Sequence, residues 1–72
     1  MKVNIALLTV TDTRTIDNDK SGGILVNKIK EANHNLTDRK ICKDNKDEII
    51  VILKQWLINE KIDVIITTGG TG

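Results

Sequence analysis

From Val3 to Val10 the chain is almost continuously apolar (VNIALLTV), then turns polar at once in Thr11-Asp12-Thr13-Arg14. A β-branched run without helical period predicts a strand buried on both faces, as in a parallel sheet covered by helices. Thr11 to Gly23 carries Asp12, Asp17, Asn18, Asp19, Ser21 and two glycines, and reads as a loop longer than most strand-to-helix connections. Gly23 to Asn33 sets Ile24, Leu25, Ile29 and Ala32 on one stripe, with Lys28, Lys30 and Glu31 off it. That spacing predicts a helix capped by Ser21 and stopped at Asn33-His34-Asn35. Leu36 to Cys42 alternates weakly and carries charge, which suits an edge strand. Asn45 to Glu60 predicts a second helix, with Ile49, Ile50, Ile52, Leu53, Trp56 and Leu57 on a broad apolar face. Asn45 and Glu48 form a capping-box pattern at its start, and Asp44 is a second cap candidate. Asp63 to Thr68 is another apolar strand, ending in Gly69-Gly70-Thr71-Gly72.

The order βαβαβ implies a parallel sheet with right-handed crossovers. The most apolar strands, first and third, belong in the middle and the polar second at the edge. The fold class expected is therefore α/β, a three-layer Rossmann-like sheet with strand order 2-1-3. Ligands of open α/β sheets bind where the strand order reverses, beyond the carboxyl ends of the strands. Topology thus directs attention to Thr11–Arg14 and Thr67–Gly72.

Composition adds constraints. The chain has 72 residues, one aromatic side chain (Trp56), and no Pro, Phe or Tyr. An aliphatic core in so short a chain is marginal, which predicts an oligomer or a piece of a longer protein. Eleven Lys and Arg stand against ten Asp and Glu, a net charge of +1 that argues against a nucleic-acid partner. No apolar run reaches the ~18 residues of a membrane span, so no membrane partner is expected. The start Met1-Lys2-Val3-Asn4 lacks a secretory pattern, so a cytoplasmic location is expected. A lone Cys42 excludes an internal disulfide and a cysteine-cluster metal site, and it reads as a half-buried strand residue.

The chemistry concentrates at the strand ends. In Thr67-Thr68-Gly69-Gly70-Thr71-Gly72 the glycines free backbone N–H groups to turn towards an anion, and the threonine hydroxyls add donors. The alternative is a plain tight turn. The string is neither a Walker A loop nor a dinucleotide fingerprint, because both spacings are missing. Asp19-Lys20-Ser21-Gly22-Gly23 is a second anion-site candidate, to which Lys20 and Arg14 add charge; ordinary capping by Ser21 explains it equally well. Asp12, at the end of the first strand, suits Mg²⁺, which takes oxygen ligands and brings phosphates, or it caps the next turn. For Asp44, helix capping is the simpler reading. His34 between two asparagines reads as a solvated turn residue, and Trp56 as core or a subunit contact.

These segments resemble one family. Leu8-Thr9-Val10-Thr11-Asp12-Thr13-Arg14, Asp19-Lys20-Ser21-Gly22 and Asp63-Val64-Ile65-Ile66-Thr67-Thr68-Gly69-Gly70-Thr71-Gly72 are similar to the N-terminal half of the MoaB/MogA family of molybdenum-cofactor biosynthesis proteins. Ile41-Cys42-Lys43-Asp44-Asn45 leading to Trp56 resembles the MoaB branch. Thr71 distinguishes the string from CinA-type domains, which usually carry Leu there, and from MoeA-type domains, which carry Val. The resemblance implies an α/β domain that binds molybdopterin and adenylylates it with Mg²⁺ and ATP before metal insertion. It implies a substrate site at Ser21, Gly22, Thr68, Gly69, Gly70, Thr71 and Gly72. It implies catalytic roles for Asp12 and Asp44, with Asp12 a candidate Mg²⁺ ligand, and a homo-oligomer, trimer or hexamer. Family members are longer, with a helix and an acidic residue beyond the glycine turn. The resemblance therefore makes residues 1–72 the N-terminal half of a single domain, inactive by itself. The alternatives are a molybdopterin scaffold without catalysis and a CinA-like nucleotide-processing domain.

Overall fold

The computed structural model describes residues 2–69. Strands β1 (Asn4–Val10), β2 (Asn35–Cys42) and β3 (Val64–Gly69) alternate with helices α1 (Lys20–Glu31) and α2 (Lys46–Leu57). Both strand pairings are parallel and the order is β2-β1-β3, as the polarity of the three strands predicts.

The central strand is buried on both faces because its neighbours supply backbone partners and the helices supply cover. Ala6, Leu8 and Val10 point to one face, where they form a core with Cys42 and Trp56. Ile49, Ile52 and Leu53 of α2, with Ile62 and Ile65, close over it. By the alternation of a strand, Leu7 and Thr9 point to the other face, where Thr9 meets the start of α1. The helices therefore lie on opposite sides of the sheet. Cys42 is more buried than its position on an edge strand suggests, because Trp56 packs over it. Trp56 is core: its Nε1 donates to Asp38 Oδ2 at 3.0 Å, so the buried indole has its polar partner.

Helix α2 starts where the capping box places it. Asn45 Oδ1 accepts from the amides of Asp47 and Glu48 at 2.9 and 3.2 Å. Helix α1 departs from expectation. It begins at Lys20, and its N-cap is Asp19 rather than Ser21, which stands exposed in the first turn. Asp19 prevails because it can accept from the Gly22 amide and also be enclosed by partners from neighbouring elements. The buried residues of α1 are Gly22 and Ile29, whereas Ile24 is 56% exposed and Ala32 is the exposed C-cap. Asn33 then takes a left-handed φ of 63°. His34 N donates to Ile29 O at 3.1 Å and Asn33 N to Lys30 O at 3.0 Å, a Schellman ending. His34 is not a solvated turn residue: it is half-buried, and its Nδ1 accepts from Val3 N at 3.1 Å, tying the helix end to the start of β1.

Among the described residues no helix is long and apolar enough to cross a membrane. Leu57 and Ile58 are 74% and 82% exposed, and no described strand pairs with the outer edge of β3.

Candidate functional site

Register decides what meets at the carboxyl end of the sheet. Val10 stands opposite Cys42 on one side and Gly69 on the other, so all three strands end at one level. Past that level Thr11 N still donates to Cys42 O at 2.8 Å, holding the two exits together. Asp12 Oδ1 then accepts from Asp44 N at 3.1 Å. The two aspartates named from the sequence are thereby side by side although 32 residues apart. Both are exposed, and the bond turns Asp12 towards β2 rather than β3. Because Asn45 caps α2, the carboxylate of Asp44 is not committed to that task.

The other named residues divide. Thr68 is half-buried opposite Thr9, and Gly69 is exposed at the end of β3 opposite Val10. Gly70, Thr71 and Gly72 lie outside the described residues. Gly69 has a φ of +80°, and a Cβ there would stand 2.5 Å from Val10 O. Gly69→Ala therefore incurs both left-handed strain and a backbone clash. An expected loss of about 2–3 kcal/mol in urea unfolding of the full-length protein checks this.

Gly22 proves to be buried and has a packing task. A Cβ on it would lie far inside contact distance of Asp19 Oδ2, 2.8 Å from Asp19 Cγ and 3.0 Å from Arg39 Nη2. The glycine leaves room for a carboxylate. Asp19 Oδ2 accepts from Thr9 Oγ1 at 2.7 Å. Its Oδ1 accepts from Gly22 N at 3.1 Å and from Arg14 Nη1 at 3.3 Å. Arg39 Nη2 approaches Oδ2 to 3.5 Å, an ion pair without hydrogen-bond geometry, which leaves its buried Nε and Nη2 without hydrogen-bond partners. The Asp19 side chain is fully buried. Burial pulls its pKa up, but the bonds from Thr9, Gly22 and Arg14 and the charge of Arg39 outweigh it and hold the carboxyl below its ordinary value.

Asp19 was named from the sequence only within a candidate anion loop, and neither Thr9 nor Arg39 was named as its partner. The signal present was an acidic residue three positions before a glycine, ahead of an apolar helical stripe. Nothing local could reveal that Arg39, on a strand twenty residues later in the chain, turns underneath it.

Cys42 lies at the end of β2 near Asp44. Burial pushes its thiol pKa up, and the negative charges of Glu48 and Asp44 push it further. It stays a protonated thiol at neutral pH, not a nucleophile. Beside it an open groove of about 540 Å³ runs between β2 and α2, bordered by Ile41, Lys43, Glu48 and Val51. It faces the outer edge of β2, away from the β1–β3 switch point.

Among the described residues no three His, Cys, Asp or Glu side chains converge as a metal cage. Two exposed aspartates joined through the Asp44 amide suit a different kind of site, in which Mg²⁺ takes one or two protein oxygens and completes its shell with water and phosphate.

Comparison with known proteins places the sequence and the fold. Residues 6–72 match a family model described as "Probable molybdopterin binding domain". The chain is 41% identical over 71 residues to a molybdenum cofactor biosynthesis protein B of Bacillus cereus, covering 99% of this chain and 42% of that protein. It is 46% identical over 72 residues to the protein of that name from Staphylococcus carnosus, covering 97% of this chain and 42% of the relative. A crystal structure of a molybdenum cofactor biosynthesis protein B superposes with a TM-score of 0.94 at 40% identity, covering 100% of this chain and 45% of that one. The chain thus spans well under half the length of the relatives it matches.

Proposed function

The chain belongs to the molybdopterin-binding domain family of molybdenum cofactor biosynthesis, and we propose on that premise that its protein binds molybdopterin beyond the carboxyl ends of β1 and β3 and adenylylates it with Mg-ATP. The observation that carries the reading is the meeting of Asp12 and Asp44 at the ends of adjacent strands, beside the glycine end of β3. An apolar sheet interior with exposed acidic and glycine-rich ends holds a phosphorylated ligand at its rim, where backbone amides answer the phosphate.

In the proposed reaction an oxygen of the molybdopterin phosphate attacks the α-phosphorus of ATP. A phosphoanhydride forms, the bond from the α-phosphorus to the bridging oxygen of the β-phosphate breaks, and pyrophosphate leaves. Asp12 and Asp44 would hold Mg²⁺ through carboxylate oxygens, and the ion would neutralise charge on the triphosphate. Ser21, exposed in the first turn of α1, with Gly22 beside it, and Thr68 and Gly69, at the end of β3, would border the pterin phosphate with Gly70, Thr71 and Gly72. Residues 1–72 are, in this reading, the N-terminal half of one domain. The rest of that domain would extend the sheet past β3 and cover Leu57 and Ile58. A cytoplasmic trimer or pair of trimers completes the proposal.

The test uses the full-length protein with molybdopterin and Mg-ATP, following adenylylated product and pyrophosphate. Turnover is expected, with Asp12→Asn and Asp44→Asn each lowering it about 100-fold while molybdopterin binding persists. Binding without turnover would leave a carrier rather than a transferase. Absence of molybdopterin binding would overturn both.

A further inference from the structure

We propose that Asp19 is a positioning residue for this site: its buried carboxylate fixes the loop that carries Asp12, and the helix turn that carries Ser21, against the ends of β1 and β2. The inference rests on the binding reading above.

A helix cap needs only one bond to the first turn. Here the Gly22 amide supplies it. The remaining features exceed capping. The carboxylate is fully enclosed, Thr9 reaches it from the central strand, and Arg39 comes beneath it from β2. Gly22 lacks the side chain that would displace it. Arg14, half-way along the loop and 41% exposed at its side chain, reaches back to the same oxygen that Gly22 uses.

The loop itself, exposed from Asp12 to Asn18, has few other anchors. At its start Thr11 N bonds to Cys42 O. Near its end Asn18 folds back locally, its Oδ1 accepting from Thr15 N at 2.8 Å. Asp12 Oδ1 adds a bond from Asp44 N at 3.1 Å, and from Thr13 to Asn18 the tie to the body of the domain is Arg14 to Asp19. The charge of Asp19 therefore sets where the loop stands relative to Ser21 and to the Asp12–Asp44 pair. A buried group that orients the groups touching a ligand commonly changes affinity or activity 10- to 100-fold when altered.

Asp19→Asn in the full-length protein tests this. The amide oxygen still caps Gly22, and the amide nitrogen in place of Oδ2 donates to the Thr9 hydroxyl, while the charge that holds Arg14 and Arg39 is gone. A second variant, Asp19→Asn with Arg39→Gln, removes the stranded cation should the single change unfold the protein. The readouts are amide hydrogen exchange at residues 13–18 and the molybdopterin dissociation constant per folded molecule. About tenfold faster exchange and about tenfold weaker binding are expected in folded variants. A merely structural role would shift the unfolding midpoint and leave both unmoved, and wild-type values in a folded variant would overturn the proposal. Should the wild-type protein itself fail to bind molybdopterin, the binding reading falls. Loop exchange then decides alone, and unchanged exchange in the variant rejects positioning by Asp19.

Discussion

Asp19→Ala is expected to lower the stability of the full-length protein by about 3–5 kcal/mol, the range for breaking a buried ion pair from one side. The substitution removes the α1 cap, strands the Thr9 hydroxyl on the α1 face of β1, and leaves Arg39 buried without its anion. Cap loss alone costs about 1 kcal/mol, and most of the remainder comes from the stranded guanidinium, whose side chain is only 18% exposed. The pair with Arg14 adds little, because that side chain is largely in water. The effect carries a pH signature. The carboxyl of Asp19 is held below its ordinary value, so the unfolded chain binds the proton more readily than the folded one. Its contribution is complete above the unfolded value of about 3.9 and is lost as pH falls through the lower folded value. Urea midpoints of wild type and variant should therefore differ most at neutral pH and converge on acidification below about pH 4. A constant difference across that range would show that the carboxylate charge is not what stabilises the native state.

Trp56→Ala is expected to cost a similar amount, about 3–5 kcal/mol, through a different cause. Trp56 is 3% exposed and packs over Ala6, Leu8, Val10 and Cys42, in a core with no other aromatic side chain to fill the space. Small aliphatic neighbours cannot close a cavity of indole size. Truncation also frees the Asp38 carboxylate from Nε1, but Asp38 is half-buried, and water can replace that bond at little cost. Trp56→Phe should accordingly recover most of the loss, because it restores volume without the donor. Denaturant unfolding of the three proteins separates packing from hydrogen bonding: if Phe behaves like Ala, the bond to Asp38 carries the stability instead.

The placement of elements was legible along the chain because it depends on local pattern. An apolar β1 and β3 beside a charged β2 leaves few ways to order a parallel sheet, and the observed order is the expected one. The start of α2 was legible for the same reason: Asn45 and the two amides it caps are neighbours in sequence. The start of α1 was not. Ser21 and Asp19 are both good caps by residue type, and what separates them is the burial of one carboxylate by Thr9 and Arg39, which arrive from other strands. The packing task of Gly22 was not legible on the same account. Its lack of a side chain serves a neighbour inside the protein, which a glycine in a polar loop does not announce. His34 was placed in solvent because its flanking asparagines are polar, yet the Schellman ending of α1 carries its ring to Val3.

The sequence by itself determined the fold class, the strand order and the family, and directed attention to the carboxyl ends of the strands. Each follows from hydrophobic periodicity and short motifs, which are read within a few residues of one another. Tertiary structure alone decided that Asp12 and Asp44 adjoin, that Asp19 caps α1, and that Arg39 lies beneath it. These depend on parallel register, which sets Val10 level with Cys42, and on burial, which gives one carboxylate four partners and makes its charge worth more than that of its exposed neighbours.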